Sequence, residues 1–236
     1  MDLKKATVPG AILLAGIIIA AAVLYSGNFY SKNDSQIAGP KNVGAKNDPS
    51  VPKEENVKPV SEEDHILGSP SAPIKIIEFS DTECPFCKQF HATMHQVVNE
   101  YGGQVAWIYR HFPLPQLHPN APKQAESTEC AAELGGNNAF WAYLDIIFEI
   151  TPSNNGLDMA LLPEIAKQTG LDRRVFQECL SSGRYAQRVA DDYNNAVESG
   201  GRGTPFSIII TESGKKAVLP GTLPYSSIKS VIDSLL

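Results

Sequence analysis

Two cysteines separated by two residues carry the clearest chemical signal in this sequence. They are Cys84 and Cys87, in the segment Cys84-Pro85-Phe86-Cys87. Two thiols at this spacing can close a small disulfide and reopen it by thiol exchange. The same spacing also occurs in structural disulfides and in half of a zinc site. The pair alone therefore leaves three interpretations open.

The sequence around the pair favours the redox interpretation. The apolar run over residues 74–79 predicts a buried strand, and an apolar stripe at helical spacing predicts a helix over residues 84–101. Cys84 would then lie at the helix start, where free backbone N–H groups and the helix dipole stabilise a thiolate. Pro85 suits the first turn, where its missing N–H is not needed. We predict that Cys84 is the exposed nucleophile and Cys87 the shielded resolving thiol.

The other two cysteines, Cys130 and Cys179, are far apart in the chain. A reactive pair plus a structural pair suits an oxidising compartment, so we predict a structural disulfide between them. The alternative is two buried free thiols, since free cysteine packs well in protein cores.

Two histidines, His91 and His95, follow Cys87 at helical spacing. They could form a metal-binding helix face, but a polar face of an amphipathic helix is the more common arrangement, so we assign no metal and no cofactor. The formal net charge is -6, and no basic stripe is interleaved with aromatic residues. Nucleic acid is therefore excluded as an expected partner.

The N-terminal region has two distinct parts. Lys4 and Lys5 precede an apolar run over residues 8–25, which as a helix would span about 27 Å. We predict a transmembrane anchor there, with residues 1–7 in the cytoplasm and the rest outside; a cleaved signal peptide is the alternative. Residues 26–64 are rich in Asn, Lys, Ser, Pro and Glu, which predicts a flexible linker.

From residue 65 onward the pattern predicts an α/β domain. Strand, helix and strand over residues 74–112 imply a parallel βαβ unit. A helical insertion follows at about 119–198, and its candidate helices cover residues 120–134, 138–150, 157–169, 172–181 and 184–198. A hairpin of strands over residues 206–211 and 216–219 and a closing helix over residues 226–235 form a ββα half.

The folded part resembles the DsbA family in its DsbA-like Thioredoxin_4 branch, and the likeness covers about Asp64 to Leu236. The segments that carry the resemblance are IIEFSDTECPFC, YRHFPL with HPNA after it, ECAAELGGNNAFWAYLDIIFE, GLDRRVFQECL and GTP. The resemblance implies a thioredoxin fold with a helical insertion between the βαβ and ββα halves. It also implies a protein disulfide oxidoreductase.

The family resemblance further implies roles for individual residues. Glu78, in the strand before Cys84, would be a buried acid that relays protons; the alternative is a strand-end Glu turned to solvent. The Gly-Thr-Pro segment looks like the cis-proline loop of thioredoxin-fold proteins. Thr204 and Pro205 would then bind extended substrate together with Pro85 and Phe86.

The function expected on these grounds is that of a monomeric extracytoplasmic oxidase, which introduces disulfides into exported client proteins with free thiols. A membrane quinone-linked thiol oxidase would restore its disulfide, as the family implies. One departure is Phe86, since well-known oxidases of the family carry His between the cysteines. A disulfide isomerase or reductase of the same fold stays open, and so does a thioredoxin-fold metallochaperone, a different class of protein.

Overall fold

One mixed five-stranded sheet forms the centre of the protein. The structure, a computed structural model, describes residues 54–236. The strands are β1 (His65–Gly68), β2 (Ile74–Ser80), β3 (Val105–His111), β4 (Phe206–Thr211) and β5 (Lys216–Leu219). Their order across the sheet is β1-β3-β2-β4-β5. Strands β2 and β3 are parallel, and the other neighbouring pairs are antiparallel.

Within residues 54–236, six α-helices surround the sheet or form the insertion. They are α1 (Pro85–Tyr101), α2 (Ala121–Ile150), α3 (Leu162–Gln168), α4 (Arg173–Ser182), α5 (Ala186–Glu198) and α6 (Tyr225–Asp233). Helices α2 to α5 lie between the βαβ unit of β2, α1 and β3 and the ββα unit of β4, β5 and α6. The predicted thioredoxin-like fold with a helical insertion is therefore confirmed.

Alternation along β2 decides which side chains face the reactive helix. Ile74 and Ile76 pack in a core with residues of α1, α2 and α6. Ile77 and Phe79 face the opposite side, where α5 covers the sheet. Because successive strand residues point to opposite faces, Glu78 lies on the α1 side. This places one carboxyl group inside an otherwise apolar layer.

The helical insertion has a core of its own, and a disulfide crosses it. Cys130 of α2 is bonded to Cys179 of α4. Tyr143, Ile165 and Phe176 belong to the same buried cluster. The predicted structural disulfide is confirmed, so two free thiols are excluded.

Three local features differ from the sequence interpretation. Residues 120–134 and 138–150 form one element, α2, interrupted at Gly136, whose φ of 71° lies in the left-handed region. The predicted helix over 157–169 is a 3-10 turn, Met159–Leu161, followed by the shorter α3. Strand β1 was not predicted, because its four residues pair antiparallel with β3 through backbone groups and show little pattern of their own.

The predicted flexible linker over residues 26–64 is wrong for its last eleven residues. Residues 54–56 form a 3-10 helix, and Val57 is buried against the outer face of the sheet. Asp64 makes a two-point ion pair with Arg110 of β3, at 2.7 and 2.9 Å. Arg110 also donates to the carbonyls of Lys58 and Pro59. Distant side chains thus hold a segment that has few apolar residues itself.

The predicted anchor, residues 8–25, lies outside the described residues. So do residues 1–7 and the first part of the predicted linker. Within residues 54–236, no helix combines the length and the apolar character needed to cross a membrane.

We expect loss of the Cys130–Cys179 disulfide to lower the free energy of unfolding by about 4 kcal/mol, since the bond closes 49 residues. The measurement is equilibrium urea unfolding of the full chain and of the double variant Cys130→Ala/Cys179→Ala. Each single variant should lose a similar amount, because either change removes the whole cross-link. A loss below about 1 kcal/mol in the double variant would contradict a stabilising role.

Candidate active site

The two reactive cysteines lie one helical turn apart at the start of α1. Cys84 is the N-cap residue, with extended backbone angles of φ -78° and ψ 123°, and Pro85 begins the helix. Both sulfurs are free thiols. Cys84 is 5% exposed and Cys87 is completely buried. Cys84 is thus the more accessible thiol, as predicted. Most of its surface is nevertheless covered by the protein.

The environment of Cys84 stabilises its thiolate. A hydrogen bond from the Cys87 thiol, bonding from the Thr204 side chain and the backbone N–H groups of Cys87 and Phe86 together lower the pKa of Cys84 to about 6. The Thr204 hydroxyl has no hydrogen-bond partner among the described residues, so it is available to donate to the thiolate. The backbone N–H groups at the helix start therefore lower the pKa of Cys84 as predicted. The hydrogen bond from the Cys87 thiol lowers it most.

Cys87 has the opposite tendency. Burial raises the pKa of its thiol well above the usual value, and the nearby charges of Cys84 and Glu78 add to the rise. The Asp81 N–H donates to the Cys87 sulfur at 3.5 Å. At neutral pH, Cys84 is therefore the thiolate and Cys87 the thiol that holds a proton.

Glu78 is fully buried in β2, so the alternative of a Glu turned to solvent is wrong. The Trp107 indole N–H donates to Glu78 Oε2 at 2.9 Å. Glu78 Oε1 has no hydrogen-bond partner within residues 54–236. Burial raises the pKa of Glu78 to about 8, and the negative charge of Cys84 adds to the rise. This carboxyl group can hold and release a proton near neutral pH.

The loop before β4 lies against the reactive pair. The Thr204–Pro205 peptide bond is cis, the geometry that the family resemblance implied. The Cys84 thiol donates to the Thr204 carbonyl at 3.5 Å. The structure therefore brings together Cys84, Cys87, Glu78, Thr204 and Pro205.

The two residues that follow Cys84 in the chain are apolar and open to solvent. Phe86 is 60% exposed. Pro85 is also exposed. Substrate binding by Pro85, Phe86, Thr204 and Pro205 stays a prediction, but two of these residues stand open to an incoming chain.

Sequence reasoning missed two buried carboxylates in the turn before Cys84. Asp81 accepts hydrogen bonds from the Glu83 and Leu114 N–H groups, and its Oδ2 lies 2.9 Å from His118 Nδ1. Glu83 accepts from the Gln124 side chain and from the Asn155 N–H. These bonds hold the turn to the loop after β3 and to α2. Acidic residues in a short turn are usually exposed to solvent, so no sequence pattern indicated that Asp81 and Glu83 are buried.

A second group of polar side chains lies on α1 beyond the cysteines, and the sequence interpretation named only its two histidines. His91 is buried, so the prediction of a polar helix face fails at this position. His91, His95 and Asp145 of α2 come together at the side of α1 that faces α2. Only the packing of α2 on α1 brings these three residues together.

Solved structures of similar fold include DsbA-like proteins. Pseudomonas aeruginosa DsbA2 matches with a TM-score of 0.64 and 28% identity, over 75% of this chain and 97% of that one. Oxidised BdbD from Bacillus subtilis matches with a TM-score of 0.62 over 78% of this chain and 94% of that one. Its 21% identity shows the likeness of fold alone.

Curated relatives match over part of this chain only. The Na(+)/H(+) antiporter NhaA 3 of Salinispora tropica is 36% identical over 142 residues, which are 60% of this chain. NhaA 1 of Salinispora arenicola is 32% identical over 146 residues. The match covers only 21% of the length of each of these relatives.

The fold, the paired thiols and the structural neighbours define a DsbA-like thiol–disulfide oxidoreductase, as the resemblance implied. The chain belongs to the thioredoxin family Thioredoxin_4, which it matches over residues 60–233.

In the reduced protein, we expect iodoacetamide to modify Cys84 before Cys87, with a rate that rises through about pH 6 as the Cys84 thiolate forms. The measurement is peptide mass mapping after short exposures between pH 4.5 and 8. Cys130 and Cys179, being disulfide-bonded, serve as internal controls that stay unmodified. Earlier labelling of Cys87 would contradict the assignment of roles.

Proposed function

We propose that this protein is an oxidase that introduces disulfides into exported proteins through the Cys84–Cys87 pair. The observation that carries the proposal is the opposite shift of the two thiol pKa values, down for Cys84 and up for Cys87. Stabilising the Cys84 thiolate favours the reduced form of the pair. The disulfide form is then the better electron acceptor, which is what an oxidase requires.

The proposed reaction is two successive thiol exchanges. A client thiolate attacks the Cys84 sulfur of the disulfide, the Cys84–Cys87 bond breaks, and Cys87 leaves as a thiolate. A second client thiolate then attacks the client sulfur of the mixed disulfide, and Cys84 leaves as a thiolate. The client has lost two electrons to the protein pair. The low pKa of Cys84 speeds this last step, because more acidic thiols are better leaving groups.

Cys87 needs a proton when it leaves. Its thiolate would be a buried charge without solvent, which is costly. Glu78 lies on the same side of the sheet and, with its pKa near 8, carries a proton at neutral pH. We assign Glu78 the delivery of that proton to Cys87 and its recovery when the pair is reoxidised.

The location and the partners belong to the same proposal. The Cys130–Cys179 disulfide is typical of an oxidising compartment, and the apolar run at residues 8–25 suits a membrane anchor. An extracytoplasmic domain on an anchor would meet exported clients in their reduced state. A membrane quinone-linked thiol oxidase would return the pair to the disulfide. We expect the protein to act as a monomer.

Phe86 favours a second candidate, an isomerase or reductase. Its ring offers no hydrogen-bond donor to the Cys84 thiolate. The pair would then be a weaker oxidant than one with a donor at this position, and closer to the range in which disulfides are reshuffled or reduced.

A reduced client protein, whose native form contains several disulfides, tests the direction of the reaction. The oxidised full-length protein should transfer one disulfide per chain to the client, without added oxidant, and should sediment as a monomer. Cys84→Ser should abolish the transfer, because the attacked sulfur is removed. A dimer that reshuffles scrambled client disulfides but transfers few of its own would favour the isomerase.

Glu78→Gln should slow client oxidation at pH 7 on the order of 100-fold, the lower end of what a positioned general acid contributes. Gln keeps the shape and can still accept from Trp107. The ratio of wild-type rate to variant rate should fall as pH rises through about 8, since Glu78 then loses its proton. Stopped-flow rates across that range are the measurement.

Glu212→Gln, an exposed change in the turn after β4, is the matched control and should leave the rate unchanged. If the ratio is constant with pH, Glu78 does not deliver the proton.

A further inference from the structure

We propose that His91, His95 and Asp145 form a binding site for a divalent transition-metal ion of the zinc type. One possible ligand atom from each of the three lies within 4.8 Å of the others. The site is separate from the two reactive thiols, and it differs from the sequence expectation of no metal.

The three ligand atoms form a compact triangle. His91 Nε2 lies 2.7 Å and His95 Nε2 lies 2.8 Å from the same oxygen, Asp145 Oδ1, and the two nitrogens are 3.2 Å apart. In tetrahedral zinc sites with bonds of about 2.0–2.1 Å, neighbouring ligand atoms are roughly 3.3 Å apart. An outward shift of roughly half an ångström at Asp145 would give one face of such a tetrahedron.

The two elements position the ligands rigidly. His91 and His95 are four residues apart on α1, so both rings project from one face of the helix. Both rings pack against Trp107, with centroids 5.0 and 5.4 Å from its ring. Asp145 comes from the second half of α2, and a bound metal would therefore link α1 to α2.

The ligand set has an open side. A cavity of about 450 Å³ lies over the triangle, and its lining includes Lys88, Ala92 and Glu149 besides the three ligands. Water can occupy the fourth position there. The one cation in this lining, Lys88, is held by the carbonyls of Glu149 and Thr151 at 3.1 and 2.6 Å. Its ammonium group therefore has partners other than Asp145.

The kinds of ligand atom indicate which class of metal ion the site would bind. Two imidazole nitrogens and one carboxylate suit Zn²⁺ and its neighbours in the first transition row, whereas Mg²⁺ and Ca²⁺ prefer oxygen ligands. The simpler alternative is a hydrogen-bonded cluster in which both Nε2–H groups donate to Asp145. A metal ion would replace the protons on the two Nε2 atoms, so uptake of Zn²⁺ distinguishes the two arrangements.

The test is calorimetric titration of Zn²⁺ into the full-length, metal-free protein with the Cys84–Cys87 disulfide closed. Oxidation removes the two thiols as competing ligands. We expect one Zn²⁺ per chain, with saturation at free concentrations on the order of micromolar. His95→Gln and Asp145→Asn should each weaken binding by about 100-fold, since even loss of a residue behind a ligand costs 10–100-fold.

Glu149→Gln is the matched control, because it removes the same charge from the same cavity without touching a ligand. It should bind Zn²⁺ as the wild type does. Zn²⁺ should also raise the unfolding temperature of the wild type and of Glu149→Gln but not of Asp145→Asn. Substituting Co²⁺ should give the visible absorption of a tetrahedral site in the wild type, a readout that does not depend on how the variants fold.

Three results would overturn the proposal. The first is wild-type protein that takes up no Zn²⁺ at micromolar concentration. The second is binding that survives both His95→Gln and Asp145→Asn. The third is Glu149→Gln weakening the binding as much as Asp145→Asn does, which would mean attraction by general charge and not coordination.

Discussion

The chemistry of the site depends on the stabilisation of the Cys84 thiolate. A thiolate can form there because α1 begins at this residue and because the Cys87 thiol lies one turn deeper, where it donates to the charge. The same burial that keeps Cys87 protonated makes that donor available at neutral pH. The two thiols are thus a unit, and neither pKa would be shifted in the same way without the other.

Much of the surrounding structure serves to hold this helix start in place. Buried carboxylates, which are costly unless they are bonded, occupy the turn before it and bond to the neighbouring loops and α2. Asp81 accepts from two backbone N–H groups, and Glu83 accepts from one. The cis-proline loop lies on the other side, where the Thr204 carbonyl oxygen is 3.5 Å from the Cys84 sulfur. Because the turn is bonded to its neighbours, the position of Cys84 does not depend on helix propensity alone.

Glu78 shows how a cost in stability can become a function. A carboxyl group inside the apolar layer between β2 and α1 is held by one hydrogen bond from Trp107, and its second oxygen has no partner among the described residues. Because burial is offset by few hydrogen bonds, the pKa of Glu78 is raised to about 8, and the group can exchange its proton near neutral pH. Trp107 also packs against His91 and His95, so one aromatic ring separates the buried acid from the proposed metal site.

The sequence alone determined the reactive pair, its place at a helix start, the βαβ and ββα halves with a helical insertion between them, and the Cys130–Cys179 disulfide. These features depend on local spacing, on periodicity and on a family resemblance that extends along the folded part. Only the tertiary structure decided that residues 54–64 pack on the domain, that His91 is buried, and that Asp145 joins His91 and His95. The reason is physical: each of these depends on side chains tens of residues away, such as Arg110 reaching back to Asp64. A local pattern records a residue's neighbours in the chain, whereas burial and bonding depend on its neighbours in space.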